Sequence, residues 1–183
     1  MDFASLVIRA GDRVTASGRL VRNETGDWFE PPISVTANFP LIRRVRPAWT
    51  GSVRIAGADF GAELTGRFEH DGAVEGSATL TGTWAADRLQ VERQDLPVPQ
   101  HRKIPNWPAP PRPPTEAELE AVHAHLLAHH NEWNLYAWGN TSTEDGQALI
   151  TARLTRILPA IATWAASLPA GILGLEPWLT HAA

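Results

Sequence analysis

His125 and His129 stand one helical turn apart in the run His123-Ala124-His125-Leu126-Leu127-Ala128-His129-His130, and Glu132 follows on nearly the same face. That spacing can turn two imidazoles and a carboxylate toward one metal ion. A zinc site needs a third or fourth ligand in good geometry, and the His-Glu-x-x-His order of catalytic zinc helices is absent. The group is therefore read as solvated or capping histidines, and neither a metal nor any other cofactor is assigned. Imidazoles with an ordinary pKa of about 6.5 also respond to mild acidity. Elsewhere the chain holds no phosphate loop, no Gly-x-Ser-x-Gly elbow, no dinucleotide fingerprint and no carboxylates paired at telling spacing. Zero cysteines close off thiolate nucleophiles, thiolate zinc and disulfides. No catalytic residue is assigned, and the chain is expected not to be an enzyme.

A second group has a different chemistry. Trp28, Phe29, Arg43, Arg44, Arg46, Trp49 and Arg54 interleave aromatic rings with guanidinium groups over a short stretch. Such a surface can stack unpaired bases, and tryptophan and arginine are also the residues that dominate protein interfaces. The alternative is that Trp28 and Trp49 are core or strap-packing residues.

The elements that must position these residues are strands. Val14, Ala16, Gly18 and Leu20 share one face of a long first strand, and Asn23-Glu24-Thr25-Gly26-Asp27 is a turn. Trp28 and Phe29 open a second strand interrupted by Pro31-Pro32, after which Ile33, Val35, Ala37 and Phe39 alternate with polar residues. A third strand, Ser52 to Ala56, follows the basic loop Arg43-Arg44-Val45-Arg46. Residues 62 to 69 fit either a short helix or a strand. Val74, Gly76, Ala78, Leu80, Gly82 and Trp84 then alternate, and Ala85-Ala86-Asp87-Arg88 turns into a last strand with Leu89 and Val91.

Three strands, a connection and a two-strand hairpin, with Gly18 inside a long first strand, resemble an OB-fold over about residues 10 to 94. The resemblance rests on strand order and carries no signature motif. It implies a small antiparallel barrel that binds across its second and third strands, where the aromatic and arginine group lies. Another small barrel or sandwich would give the same pattern.

Eight of the fifteen prolines fall between Pro97 and Pro114, which favours a stiff polyproline strap with Trp107 as a packing anchor. Thr115-Glu116-Ala117-Glu118 is then a capping box that starts a helix. Leu119, Val122, Leu126, His130 and Trp133 share its face. Gly139-Asn140-Thr141-Ser142 separates it from a second helix, capped by Ser142 with Asp145 and bearing Leu149, Leu154, Ile157, Leu158, Ile161 and Trp164. The predicted class is α+β: an OB-like antiparallel barrel over 1–95, a proline-rich strap over 96–114, and a C-terminal helical hairpin within 115–183.

Residues 157 to 175 carry no charge and approach the roughly 20 residues of a membrane span. Pro159, Pro169, Gly171 and Gly174 divide the run, so it is read as a buried helix and turn, with a membrane anchor as the alternative. The first residues lack the basic region and long apolar stretch of a secretory signal, which points to the cytoplasm. A formal charge of −4, with no strongly basic half, argues against duplex nucleic acid. With eight tryptophans and no catalytic motif, the expected function is binding another protein, as an immunity or antitoxin-like inhibitor or an assembly adaptor. Binding of single-stranded nucleic acid is the alternative, and an apolar stripe on the helical pair would also serve a homodimer.

Overall fold

Alternation along Arg13–Asn23 builds β1, whose Val14, Ala16 and Leu20 are buried while Arg13, Arg19 and Arg22 are exposed. The structure, a computed structural model, describes residues 3–32, 51–97, 110–143 and 146–182. The predicted strand from Ile33 to Phe39, and Trp107 with most of the proline-rich stretch, lie outside the described residues. Among those described, residues 9–32, 51–97 and 181–182 belong to one compact unit and residues 3–8 and 110–180 to another.

In the first unit β1 is followed by β2 (Gly26–Glu30), β3 (Val53–Ala56), β4 (Thr65–His70), β5 (Ala73–Ala85) and β6 (Arg88–Asp95). β1 pairs with β2, β2 with β3, β3 with β6, β6 with β5, and β5 returns to β1, so five strands close into a barrel. Four of these pairings are antiparallel, but β3 runs parallel to β6 through Arg54 opposite Arg88 and Ile55 opposite Leu89. The barrel is thus mixed, which corrects the antiparallel expectation. Parallel neighbours need a long crossover, and here β4 and β5 supply it. The segment 62–69 resolves as the strand β4, which hangs on β5 outside the ring. Ala182 returns to the barrel and donates its N–H to the Arg13 carbonyl at 2.9 Å.

Val14, Leu20, Phe29, Leu80, Trp84 and Leu89 fill the interior. Each large side chain buried there stabilises the fold by about 1.5–3 kcal/mol. Phe60 and Leu64, from the loop between β3 and β4, add to this core, with the Arg22 guanidinium 4.1 Å above the Phe60 ring. Asp27 holds Arg22 in place through contacts of 2.7 and 2.8 Å and raises its pKa further. β5 passes closest to β6 at Gly82, where the pairing register shifts; a Cβ there would lie 2.0 Å from the Gln90 carbonyl oxygen.

The second unit begins its helical part with α1 (Glu116–His129), started by the predicted capping box. Thr115 Oγ1 accepts the Glu118 N–H at 3.3 Å, and the Thr115 N–H donates to Glu118 Oε2 at 2.8 Å. Arg112, hydrogen-bonded to the same carboxylate, and the two Thr115 donors hold the Glu118 pKa down to about 2. Substituting Thr115→Ala should cost about 1 kcal/mol, read as a lower urea midpoint for α1. Because Glu118 stays ionised in mild acid, that loss should be the same at pH 7 and pH 4.

After α1 the chain forms β7 (Leu135–Ser142), β8 (Ala148–Leu154), α2 (Pro159–Ser167) and β9 (Leu173–Pro177). β7 pairs antiparallel with β8, and β8 pairs parallel with β9 across the α2 crossover. The expected helical hairpin is therefore corrected: two helices accompany a three-stranded mixed sheet. Leu149, Ile150, Ala152 and Leu154 are buried on both sides of the central strand, and such a run satisfies helical and strand periodicities alike. Val122, Leu126, Ile157 and Ile161 pack into the same core.

The uncharged stretch 157–175 contains the nine-residue α2, a turn and most of β9, with Ile161, Ala165, Ile172 and Leu175 buried in that core. Among the described residues no helix is long and apolar enough to cross a membrane. Residues 3–8 complete the unit. Phe3–Leu6 forms a 3-10 turn against α2, Val7 bridges Ile157 in parallel, and the Ile8 carbonyl accepts from Arg156 Nη1 at 3.1 Å.

Candidate functional site

Strand alternation splits the aromatic pair Trp28-Phe29 between two environments. Phe29 is 0% exposed inside the barrel, so its ring, placed by the sequence reading among the surface residues, is a core residue. Trp28 is half-buried on the opposite face of β2. Its Nε1–H donates to Thr25 Oγ1 at 2.9 Å, and that hydroxyl and the Thr25 N–H both donate to Asn23 Oδ1, at 2.6 and 2.8 Å. The turn read from Asn23 to Asp27 thus fixes the indole.

Across the β2–β3 ladder Trp28 stands opposite Arg54, whose guanidinium carbon lies 5.0 Å from the indole centroid. This is a cation–π contact at an exposed site. The parallel β3–β6 pairing then places Arg88 beside Arg54. Arg88 Nε contacts Asp87 at 3.2 Å, and Arg88 and the nearby Arg54 hold the Asp87 carboxyl below its usual range. The result is a row across three strands: indole, guanidinium, guanidinium, with one carboxylate at its end. Arg43, Arg44, Arg46 and Trp49, which the sequence reading grouped with these residues, lie outside the described residues.

Arg88 was missing from that group because no local pattern reveals which strand lies parallel to β3. Beside the row, on the same face of β2 as Trp28, Glu30 carries a side chain only 8% exposed. Arg19 reaches it through Nε at 3.0 Å and bonds Glu75 through Nη1 at 3.1 Å, while Ser52 Oγ donates to Glu30 at 3.2 Å. The buried charge is thereby paired and hydrogen-bonded, as its burial requires.

The histidines of α1 lie against aromatic rings and polar neighbours. His125 stacks on Trp164 with ring centroids 4.4 Å apart, His129 stacks on Trp133 at 4.8 Å, and the two imidazoles are 4.5 Å apart. His129 Nδ1 meets Glu132 at 2.9 Å, His123 Nε2 meets Asn140 Oδ1 at 2.8 Å, and His130 Nδ1 meets the Leu127 carbonyl at 2.8 Å. Trp133 is 3% exposed, and its Nε1 is buried without a hydrogen-bond partner. Among the described residues no group of three or more His, Cys, Asp or Glu side chains is arranged to hold a metal ion. Trp164 comes from α2, so the stack was not readable from the histidine spacing.

Burial, with a smaller contribution from His129, depresses the His125 pKa below its ordinary 6.5. A histidine with a lowered native pKa contributes stability above pH 6.5 that is lost as the pH falls through its native pKa. The urea midpoint should therefore drop between pH 7.5 and pH 5. His125→Phe, which keeps a ring in the stack and removes the charge, should flatten that dependence.

Barrel and site together define the chain as a two-unit α+β protein whose closed five-stranded mixed barrel displays a tryptophan–arginine row. No family model, curated protein or solved structure matches it.

Proposed function

We propose that the protein acts by binding another protein, as a small inhibitor of the immunity or antitoxin kind or as an assembly adaptor, and performs no chemistry of its own. The supporting observation is how arginines among the described residues of the barrel are paired. Arg13, Arg19, Arg22, Arg67, Arg88 and Arg93 each lie against a carboxylate of the barrel. Each of these charges is partly offset by its neighbour, whereas nucleic-acid affinity depends on offering charge to phosphates.

Arg54 is held on the Trp28 indole instead. Tryptophan and arginine carry most of the binding energy at protein interfaces, and a pair ordered before contact loses less entropy on binding. The net charge of −4 suits a basic partner. The test is a pull-down from the native host with and without nuclease, using the wild type, Trp28→Ala and Arg54→Ala. A stoichiometric protein that survives nuclease and is lost with either variant is expected. Retention of no protein, or equal retention by all three, overturns the reading.

A second reading is a single-strand nucleic-acid binder of the OB-fold type. The ring order β1-β2-β3-β6-β5, with β3 parallel to β6, matches that of an OB-fold once β4 is treated as an insertion. Trp28 and Arg54 lie on its second and third strands, where such barrels bind. Fluorescence anisotropy with labelled oligo-dT and oligo-U at low salt tests this. It predicts binding that weakens steeply with added salt and with Arg54→Ala, and no binding to either oligomer rejects it.

A further inference from the structure

β4 is one edge of the barrel sheet: it pairs with β5 on one side, and among the described residues no strand pairs with the other. The β4–β5 turn fixes which backbone groups face that edge. Asp71 and Gly72 both have positive φ, 49° and 78°, the signature of a two-residue type I′ hairpin. In such a hairpin the flanking pair, here His70 and Ala73, exchanges both backbone hydrogen bonds. The next pair, Glu69 and Val74, is non-hydrogen-bonded, so the Glu69 N–H and C=O point toward the open edge.

Side-chain charge on this edge is self-complementary. Arg67 and Glu69 share one face of β4, are exposed, and form an ion pair with each other. Many edge strands deter association with like charges; this one carries opposite charges two residues apart.

We propose that β4 pairs antiparallel with β4 of a second copy, about a twofold axis at Phe68. In that register each Arg67 faces Glu69 of the other copy, twice by symmetry. Sliding two residues in either direction would oppose Arg67 to Arg67 or Glu69 to Glu69, and directly opposed like charges destabilise a strand pair. A one-residue slip would move every side chain to the wrong face. The bulge between Thr65 and Phe68 takes in Gly66, at φ 65°, and Arg67, so the regular edge is Phe68 to His70 and the pairing is confined to that segment and the adjoining Arg67. The dimer is accordingly weak and reversible.

Sedimentation equilibrium on the full chain, from low micromolar to near-millimolar concentration, tests this. A reversible monomer–dimer equilibrium is expected. Glu69→Arg and Arg67→Glu should each weaken it by about tenfold or more, because each change introduces two like-charge pairs, a penalty of about 1.4 kcal/mol per tenfold. The double exchange, Arg67→Glu with Glu69→Arg, should restore association to near the wild-type level. A chain that stays monomeric throughout, a dimer indifferent to the single changes, or a double exchange no better than the singles overturns the proposal.

Discussion

Replacing Gly82 with alanine is expected to cost the barrel about 3 kcal/mol or more, the upper range for overpacking, because the atom it would meet cannot step aside. The added Cβ would lie 2.0 Å from the Gln90 carbonyl oxygen and 3.0 Å from the Val91 Cα, both main-chain atoms of β6. Relief requires β5 and β6 to separate at the pairing that helps to close the ring. Gly76 provides a graded comparison: its Cβ would meet the Leu64 side chain at 2.6 Å. The nearest atom there, Leu64 Cβ, does not move with the rotamer, so the loop that carries Leu64 must shift, and Gly76→Ala should cost about 1–3 kcal/mol. At Gly139, in the other unit, a Cβ meets nothing within 4 Å, and Gly139→Ala should stay within about 0.5 kcal/mol of wild type. Hydrogen exchange of the barrel amides reads the first two, since the two units need not unfold as one. Equal protection in all three variants would mean that β5 and β6 are not held as closely as described.

The second large effect separates two neighbours in sequence. Phe29→Ala removes a fully buried ring and should destabilise the barrel by about 3–5 kcal/mol. That is a large share of the roughly 5–15 kcal/mol that stabilises a typical domain. Trp28→Ala removes an outward ring with one local hydrogen bond, and should cost about 1 kcal/mol or less in stability. Its loss should appear in partner capture instead. Urea denaturation and the pull-down on the same two proteins give a crossed result: Phe29→Ala fails the first, Trp28→Ala the second. If Trp28→Ala unfolded the barrel as severely, the indole would be a core residue and the proposed binding surface would lose its anchor.

These contrasts show where sequence reasoning had purchase. The alternation of β1 and β5 and the Thr115 capping box are local signals, legible because each depends on residues within a few positions of one another. The parallel β3–β6 pairing left no such trace, and with it went the neighbour relation between Arg54 and Arg88. β8 was misread as helix because Leu149, on the face opposite Ile150, Ala152 and Leu154, gives the segment an apolar spacing that also fits a helical stripe. The histidine spacing on α1 was seen correctly, but the rings that occupy those imidazoles come from beyond the helix, from Trp133 and from Trp164 on α2. Phe29 was grouped with the surface by its proximity to Trp28, although strand geometry turns adjacent side chains to opposite faces.

The attachment of residues 3–8 to the α/β unit also constrains how the chain can be made. Ile8 and Arg156 bond across 148 positions, and Val7 meets Ile157 beside them. On a ribosome, all five strands of the barrel ring emerge before the α/β unit can receive its opening segment. Phe3, Val7 and Ile8 must therefore wait, apolar and unpartnered by their final neighbours, through synthesis of the intervening chain. The barrel can mature early, while the other unit closes only after α2 has emerged. Chaperone dependence during translation should then follow this waiting segment, and a chain beginning at residue 9 should lose it while leaving the barrel's own assembly unchanged.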